Sequence, residues 1–179
     1  SKVLMEFYHY NNKYFTDLIK SKGFFVAENS KTNYAATFLS LASSLNMMYL
    51  NHLEEGIENI DNFKDRKVPY EMIKNNRLVS NLKTYGYKYV HFKSTWGATD
   101  HNPNADIYLG GPNSLLLSKF NSEFNMVILK STILREWLKK NNYFNLYSDQ
   151  ILFNLDKISD LNGIQGPKFI FAHIMSPHP

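Results

Sequence analysis

The stretch Pro69-Tyr-Glu-Met-Ile-Lys-Asn-Asn-Arg-Leu-Val-Ser-Asn-Leu-Lys-Thr-Tyr-Gly-Tyr-Lys-Tyr-Val-His-Phe92 decides the class of fold. A proline at its head suits the first turn of a helix, where the missing N–H has no intrahelical acceptor to lose. Met72, Ile73, Leu78 and Leu82 follow at helical spacing, which predicts a helix to about Tyr85 with Gly86 just past its end. Tyr87 to Phe92 is aromatic and β-branched and reads as a strand. A helix that leads straight into a strand is the repeating step of layered α/β proteins.

The flanking sequence continues the alternation. Asn11-Asn12 precedes Phe15, Leu18 and Ile19, a helical set stopped by Gly23, and Phe24-Phe25-Val26-Ala27 reads as a short buried strand. A polar loop from Glu28 to Tyr34 leads to Thr37, which opens the next helix. Phe38, Leu41, Ala42, Leu45, Met48 and Tyr49 mark one face of it, while Leu39, Met47 and Leu50 lie off that face and predict burial on more than one side. Residues 54–68 carry charges and amides and read as an excursion. After the central strand, residues 93–114 form a long polar, glycine-bearing loop with a short element at Ile107-Tyr108-Leu109. A helix from about Ser122 to Lys140 follows, with Met126, Ile133 and Trp137 in one stripe and Lys139-Lys140 at its negative end. Lys168 to Ile174 reads as another buried strand, ending at Ser176-Pro177-His178-Pro179. The expected fold is a layered α/β sheet of mostly parallel strands, whose ligand sites gather outside the strands' carboxyl ends. Three segments meet that condition: 28–37, 93–104 and 175–179.

Composition narrows the function. The chain has 179 residues, 44% of them hydrophobic and 15% aromatic, the profile of one globular domain. No apolar run is long enough to span a bilayer. Without cysteine there is no disulfide, thiolate metal site or cysteine nucleophile. A net charge of +4, with basic residues spread along the chain, lacks the basic stripe of nucleic-acid binders, so nucleic acid is not an expected partner. The chain starts at Ser1 without Met and stops at Pro179 within a motif, and we expect it to be a piece of something longer.

Several residues are equipped for chemistry. A Thr37 hydroxyl at a helix start lies near unpaired backbone N–H groups and the positive dipole end, which favour a phosphate; by position alone, a threonine there reads as a helix cap. His178, just past a strand end, has no apolar role and can donate to a phosphoryl oxygen or act as an acid or a base. His173, on the strand itself, reads as a hydrogen-bonded core histidine or a site residue. The 93–106 loop gathers Trp96, Thr99, Asp100, His101, Asn102, Asn104 and Asp106, oxygen-rich enough for a hard cation but matching no calcium-loop spacing, and a solvated loop explains it equally well. The P-loop, esterase-elbow and zincin motifs are absent.

The segment Ser30 to Asn46, with Asn33-Tyr34, Thr37 and Ser40-Leu-Ala-Ser-Ser-Leu-Asn46, resembles the nucleophile segment of sulfatase-like membrane proteins in the alkaline phosphatase superfamily. The tail Phe169-Ile-Phe-Ala-His173-Ile-Met-Ser-Pro-His178-Pro179 resembles that family's later strand and its Pro-His-Pro, and the strand after Gly86 fits in order. The likeness points to lipoteichoic-acid-synthase-like and phosphoglycerol or phosphoethanolamine transferase-like enzymes. It implies a three-layer α/β/α sheet, mostly parallel and incomplete here. It further implies that Thr37 is a metal-bound nucleophile, that His178 contacts the phosphate or assists the leaving group, and that Asn33, Trp96, His101 and His173 line the substrate pocket. The implied cofactor is a divalent metal (Mn, Mg or Zn) in the intact protein. The implied substrate is a phospholipid or envelope glycan, handled outside the cytoplasmic membrane by a parent anchored through segments outside this chain, while residues 1–179 themselves form a soluble, truncated catalytic domain.

Two departures shape the expectation. The Cys/Ser-x-Pro-x-Arg frame that yields formylglycine is missing, so phosphoryl chemistry is favoured over sulfate-ester hydrolysis. The family's acidic strand residue and its Asp-His pair would lie before Ser1 and beyond Pro179. One hydroxyl does not hold a divalent cation against water, so residues 1–179 alone are expected to bind no catalytic metal and to be inactive. The other readings are a phosphatase or phosphodiesterase that passes the group to water, and a sugar- or lipid-binding module that keeps the fold without catalysis.

Overall fold

The computed structural model describes residues 2–27, 30–53, 66–111 and 146–175, together with 128, 131, 132, 135, 136 and 140. It divides into two compact units, Ser1–Thr32 and Asn33–Pro179.

In the first unit, α1 (Lys2–Tyr8) precedes α2 (Lys13–Ser21). The second is the helix expected from Phe15, Leu18 and Ile19. Gly23 ends it as predicted: its φ of +86° is one that side chains with a Cβ rarely adopt, and its N–H bonds to the Lys20 carbonyl at 3.0 Å. The strand expected at Phe24–Ala27 does not form, and Phe24 and Phe25 are 65% and 91% exposed. A short apolar run becomes a strand only where a neighbour completes its ladder, and none does so among the described residues.

Among the described residues the second unit is built on a sheet of three strands, β1 (Lys88–Phe92), β2 (Ile107–Leu109) and β3 (Lys168–Phe171), in the order β2-β1-β3. Both pairings are parallel; Val90 faces Ile107 on one side and Ile170 on the other. The strand expected over Tyr87–Phe92 is β1, and with neighbours on both sides it is buried from Tyr89 to Phe92. Its Val90 and Phe92 pack with Leu161, against Ile107, Leu109, Ile164 and Ala172. Strand β3 is half-buried, with Ile170 38% exposed, so the expected fully buried strand is corrected: it has a single sheet neighbour among the described residues.

Three helices form a second apolar cluster. Helix α3 spans Thr37–Asn46, α4 Lys67–Lys74 and α5 Arg77–Thr84. Phe38, Leu39, Ala42 and Leu45 of α3 pack with Tyr34, Leu50, Ile73 and Ala98, so α3 is covered on more than one side as expected. Met47 ends α3 in the left-handed region at φ 54°, and Met48 and Tyr49 lie beyond the helix whose face they were expected to mark. The single helix expected from Pro69 to Tyr85 is two, because buried Asn76 breaks it. Its Nδ2 donates to the Ile73 carbonyl at 2.8 Å and its Oδ1 accepts from the Val79 N–H at 2.9 Å, closing one helix and capping the next. Buried Asn46 ties all three together, donating to the Ala42 and Met72 carbonyls and accepting from the Arg77 N–H.

After β1 a short helix, α6 (Gly97–Asp100), interrupts the expected loop. A long helix not anticipated from the sequence, α7 (Leu146–Asp160), leads through a 3-10 turn at Leu161–Gly163 to β3. A polar ladder fastens α7 to the end of β1: Asn154 Nδ2 donates to the Lys93 carbonyl at 2.9 Å, and Gln150 Nε2 donates to Asn154 Oδ1 at 2.8 Å. The helix expected from Ser122 to Lys140 and the tail 176–179 lie outside the described residues, apart from the few single positions above. The second unit is therefore of the α/β class, with a small parallel sheet. No described helix is long and apolar enough to cross a membrane.

Candidate functional site

Because the strands are parallel, β1 and β3 release their chains on the same side of the sheet. From β1 come Lys93, Ser94, Trp96 and α6; from β3 comes His173. Here a chain of side chains closes. Thr99 Oγ1 lies 2.8 Å from His173 Nδ1 and 2.8 Å from Ser94 Oγ. Ser94 Oγ accepts the Trp96 N–H at 3.0 Å and lies 3.0 Å from the Trp96 carbonyl. The Trp96 ring stands edge-on to the His173 ring, centroids 5.4 Å apart.

Behind this group the buried part of β1 includes polar side chains, Tyr89 and His91. His91 is buried between the rings of Tyr108 and Phe171, stacked on both at 5.9 and 5.6 Å. Its Nε2 is 2.9 Å from the Thr99 carbonyl and its Nδ1 is 2.8 Å from the Tyr89 hydroxyl. A carbonyl can only accept, so Nε2 carries the proton and Tyr89 donates to Nδ1. Burial pushes the His91 pKa down to about 4, and pushes the Tyr89 phenol well above its ordinary value. His91 is thus a neutral strut that holds α6 through Thr99.

Lys93 and Asp100 form an ion pair at 2.7 Å with side chains only 3% and 15% exposed. The other acid of the loop, Asp106, accepts from Lys83 and from the Tyr89 N–H, each at 2.7 Å, and the Lys83 hydrogen bond holds its carboxyl below the usual range. The oxygen-rich loop read from sequence as suited to a hard cation thus spends both carboxylates on lysines. No group of three or more acidic, histidine or cysteine side chains suited to a metal gathers among the described residues.

The six residues singled out by sequence fall into different settings. Thr37 is the first residue of α3, one position inside the N-cap, which is Ala36 and makes no side-chain capping bond. Its side chain is exposed, and its hydroxyl makes no hydrogen bond among the described residues. Capping does not account for this threonine. The loop 28–37 follows no strand among the described residues, which corrects one of the three segments expected at strand ends. Its link to the sheet is aromatic: Phe38 meets Tyr70 at 6.4 Å, Tyr70 meets Trp96 at 5.5 Å, and Trp96 meets His173. Asn33 is exposed and its Nδ2 donates to Ser43 Oγ at 2.8 Å, bracing the approach to α3. Trp96 and His173 are half-buried and adjoin each other. His101 is exposed and rests edge-on against Tyr108 at 5.0 Å, outside the Thr99–His173 chain. His178 lies outside the described residues.

Sequence reading passed over Lys93, Ser94, Tyr89 and His91. The signal for the first two was their place directly after the strongest strand. For His91 it was a polar residue within a buried run, which must find partners on both sides. Compared with known protein families, curated proteins and solved structures, the chain matches none.

Proposed function

We propose that this chain carries the nucleophile-bearing part of a metal-dependent phosphoryl or phosphoglycerol transferase of the three-layer alkaline-phosphatase-like kind, acting on phosphate esters of lipid or cell-envelope molecules. The observation that carries the reading is the state of Thr37: an exposed hydroxyl at the first position of a ten-residue helix, outside the capping position and with no hydrogen-bond partner among the described residues. Together with the sequence likeness around it, this favours a hydroxyl kept free for reaction. The first N–H groups of α3 face the same end, where they and the helix dipole favour a negatively charged phosphoryl group.

In the proposed reaction the Thr37 oxygen attacks phosphorus and its proton passes to solvent. The bond from phosphorus to the leaving group breaks, and the departing oxygen takes up a proton from solvent to leave as an alcohol. A second alcohol then attacks the phosphothreonine and restores Thr37; water in its place would make the protein a hydrolase. A bound divalent cation would supply the acidity that makes a threonine hydroxyl nucleophilic at neutral pH. Thr37 offers one oxygen to it, and on this reading the remaining ligands come from chain outside these residues. The same reading places the parent in the membrane with this part on its outer face, and makes His178 and Trp96 contacts to substrate.

The test is made on the longer natural protein with manganese and a phosphodiester substrate. Thr37→Ala lowers turnover by at least about a hundredfold, the usual scale for loss of a nucleophile or its partner, while Thr37→Ser keeps part of it. Turnover of Thr37→Ala within twofold of the unmodified protein would remove Thr37 as nucleophile.

A further inference from the structure

The side-chain group at the ends of β1 and β3 has a direction that its distances impose. The Trp96 carbonyl can only accept, and it takes the Thr99 N–H at 2.9 Å as well as facing Ser94 Oγ at 3.0 Å. Ser94 Oγ already accepts the Trp96 N–H, so its single proton is free to go to that carbonyl. The Thr99 proton then goes to Ser94 Oγ at 2.8 Å, in preference to the Trp96 carbonyl at 3.5 Å. Thr99 Oγ1 is left as an acceptor facing His173 Nδ1 at 2.8 Å. Every short contact becomes a hydrogen bond in this assignment. Run the other way, with Ser94 donating to Thr99 and Thr99 to His173, Ser94 Oγ and the Trp96 carbonyl would face each other with no proton between them. Thr99 and Ser94 are both buried, at 1% and 2% exposure, so water does not take over either bond.

We propose that Thr99 and Ser94 are positioning residues that hold His173 as its Nδ1–H tautomer, leaving the Nε2 lone pair as a proton acceptor. Nε2 makes no hydrogen bond among the described residues. An imidazole fixed by an oxygen at Nδ1 and open at Nε2 is the arrangement that accepts a proton from a hydroxyl. This goes beyond lining the substrate pocket, the role that the sequence likeness implied for His173. Burial also lowers the His173 pKa, which keeps the ring neutral near pH 7 and ready to accept. In the second half of the proposed reaction the proton of the attacking alcohol passes to Nε2 as its oxygen bonds to phosphorus. The imidazolium so formed keeps Nδ1–H on Thr99 and returns the extra proton to solvent. That use of His173 rests on the phosphoryl-transfer reading; the tautomer does not.

The two are tested separately. On the 179-residue chain, ¹⁵N shifts of a ring-labelled His173 report the tautomer. The expected result is a protonated-type Nδ1 and a bare-type Nε2, a mixed pattern in Thr99→Val, and recovery in Thr99→Ser. Retained backbone amide signals from β1 show that each variant is folded, and Ser94→Ala provides a second route if Thr99→Val is not. A bare Nδ1 in the unmodified chain, or an unchanged pattern in a folded Thr99→Val, overturns the proposal. On the longer protein, His173→Gln can hydrogen-bond but cannot carry away a proton, so kcat falls at least tenfold with KM within threefold. If kcat is unchanged while Thr37→Ala abolishes turnover, His173 is not the proton acceptor and the Thr37 reading stands. If Thr37→Ala has no effect while the tautomer is as stated, the phosphoryl-transfer reading and the use of His173 within it fall, and the positioning of His173 by Thr99 and Ser94 stands.

Discussion

At the scale of single residues, a polar side chain at a helix start is commonly explained by capping, and Thr37 is informative because that explanation is closed to it. The N-cap position belongs to Ala36, whose methyl group offers the first turn nothing. A capping threonine replaced by alanine loses roughly 1 kcal/mol of stability. Thr37→Ala is therefore expected to change the urea midpoint of the chain by less than the equivalent of about 0.5 kcal/mol, the range for exposed positions without a special role. A loss of ~1 kcal/mol or more in urea unfolding would reinstate a structural role and weaken the case for chemistry. The residue that most resembles a functional histidine from inside the strand, His91, has the opposite character. Both its nitrogens are spoken for and it is 1% exposed, so it serves to fix Thr99 rather than to react.

Among elements, the division of labour between α3, α4 and α5 rests on two buried asparagines. Asn76→Ala removes the cap of α5 and leaves the Ile73 carbonyl without its donor, and is expected to cost about 1–3 kcal/mol by thermal or urea unfolding. Exposed Asn75, its neighbour, is the internal comparison: changed to Ala it is expected to stay within about 0.5 kcal/mol. The same pair explains what sequence could convey. The helical period from Met72 to Leu82 was legible, as were Gly86 and the strand after it, because each is a local signal. The break at Asn75-Asn76 was hidden because Ile73 and Leu78 stay in phase with one apolar stripe across it. Helix α7 was missed for a related reason: Asn154 is buried against the Lys93 carbonyl just past β1 and Gln150 against Asn154 and the Gly111 N–H, so its inner face is partly polar and breaks the apolar pattern. The site was half legible. Trp96, Thr99 and His173 stood out by type and place, but Thr99 became a link between two strand ends only when the parallel pairing brought residues 74 apart within hydrogen-bond distance.

For the molecule as a whole, the polar interior of the sheet makes stability depend on pH. In the unfolded chain His91 takes a proton near pH 6.5; folded, its burial delays this until about pH 4. Its contribution is therefore complete above about pH 6.5 and is lost as pH falls toward 4, because folding must then expel a proton. His173, lowered by the same cause, adds in the same direction. The full effect of His91 is about 3 kcal/mol, read as a falling urea midpoint between pH 6.5 and 4 that becomes shallower in His91→Gln. An equally steep fall in that variant would assign the dependence elsewhere. The account turns, finally, on whether phosphorus reaches one oxygen. The direct measurement is acid quench of the longer protein during turnover of a phosphodiester with manganese, followed by peptide mass spectrometry. The account predicts a phosphoryl or phosphoglycerol adduct on Thr37 that is absent from Thr37→Ala. Steady turnover with the adduct on a different residue, or turnover that persists in Thr37→Ala, would contradict it.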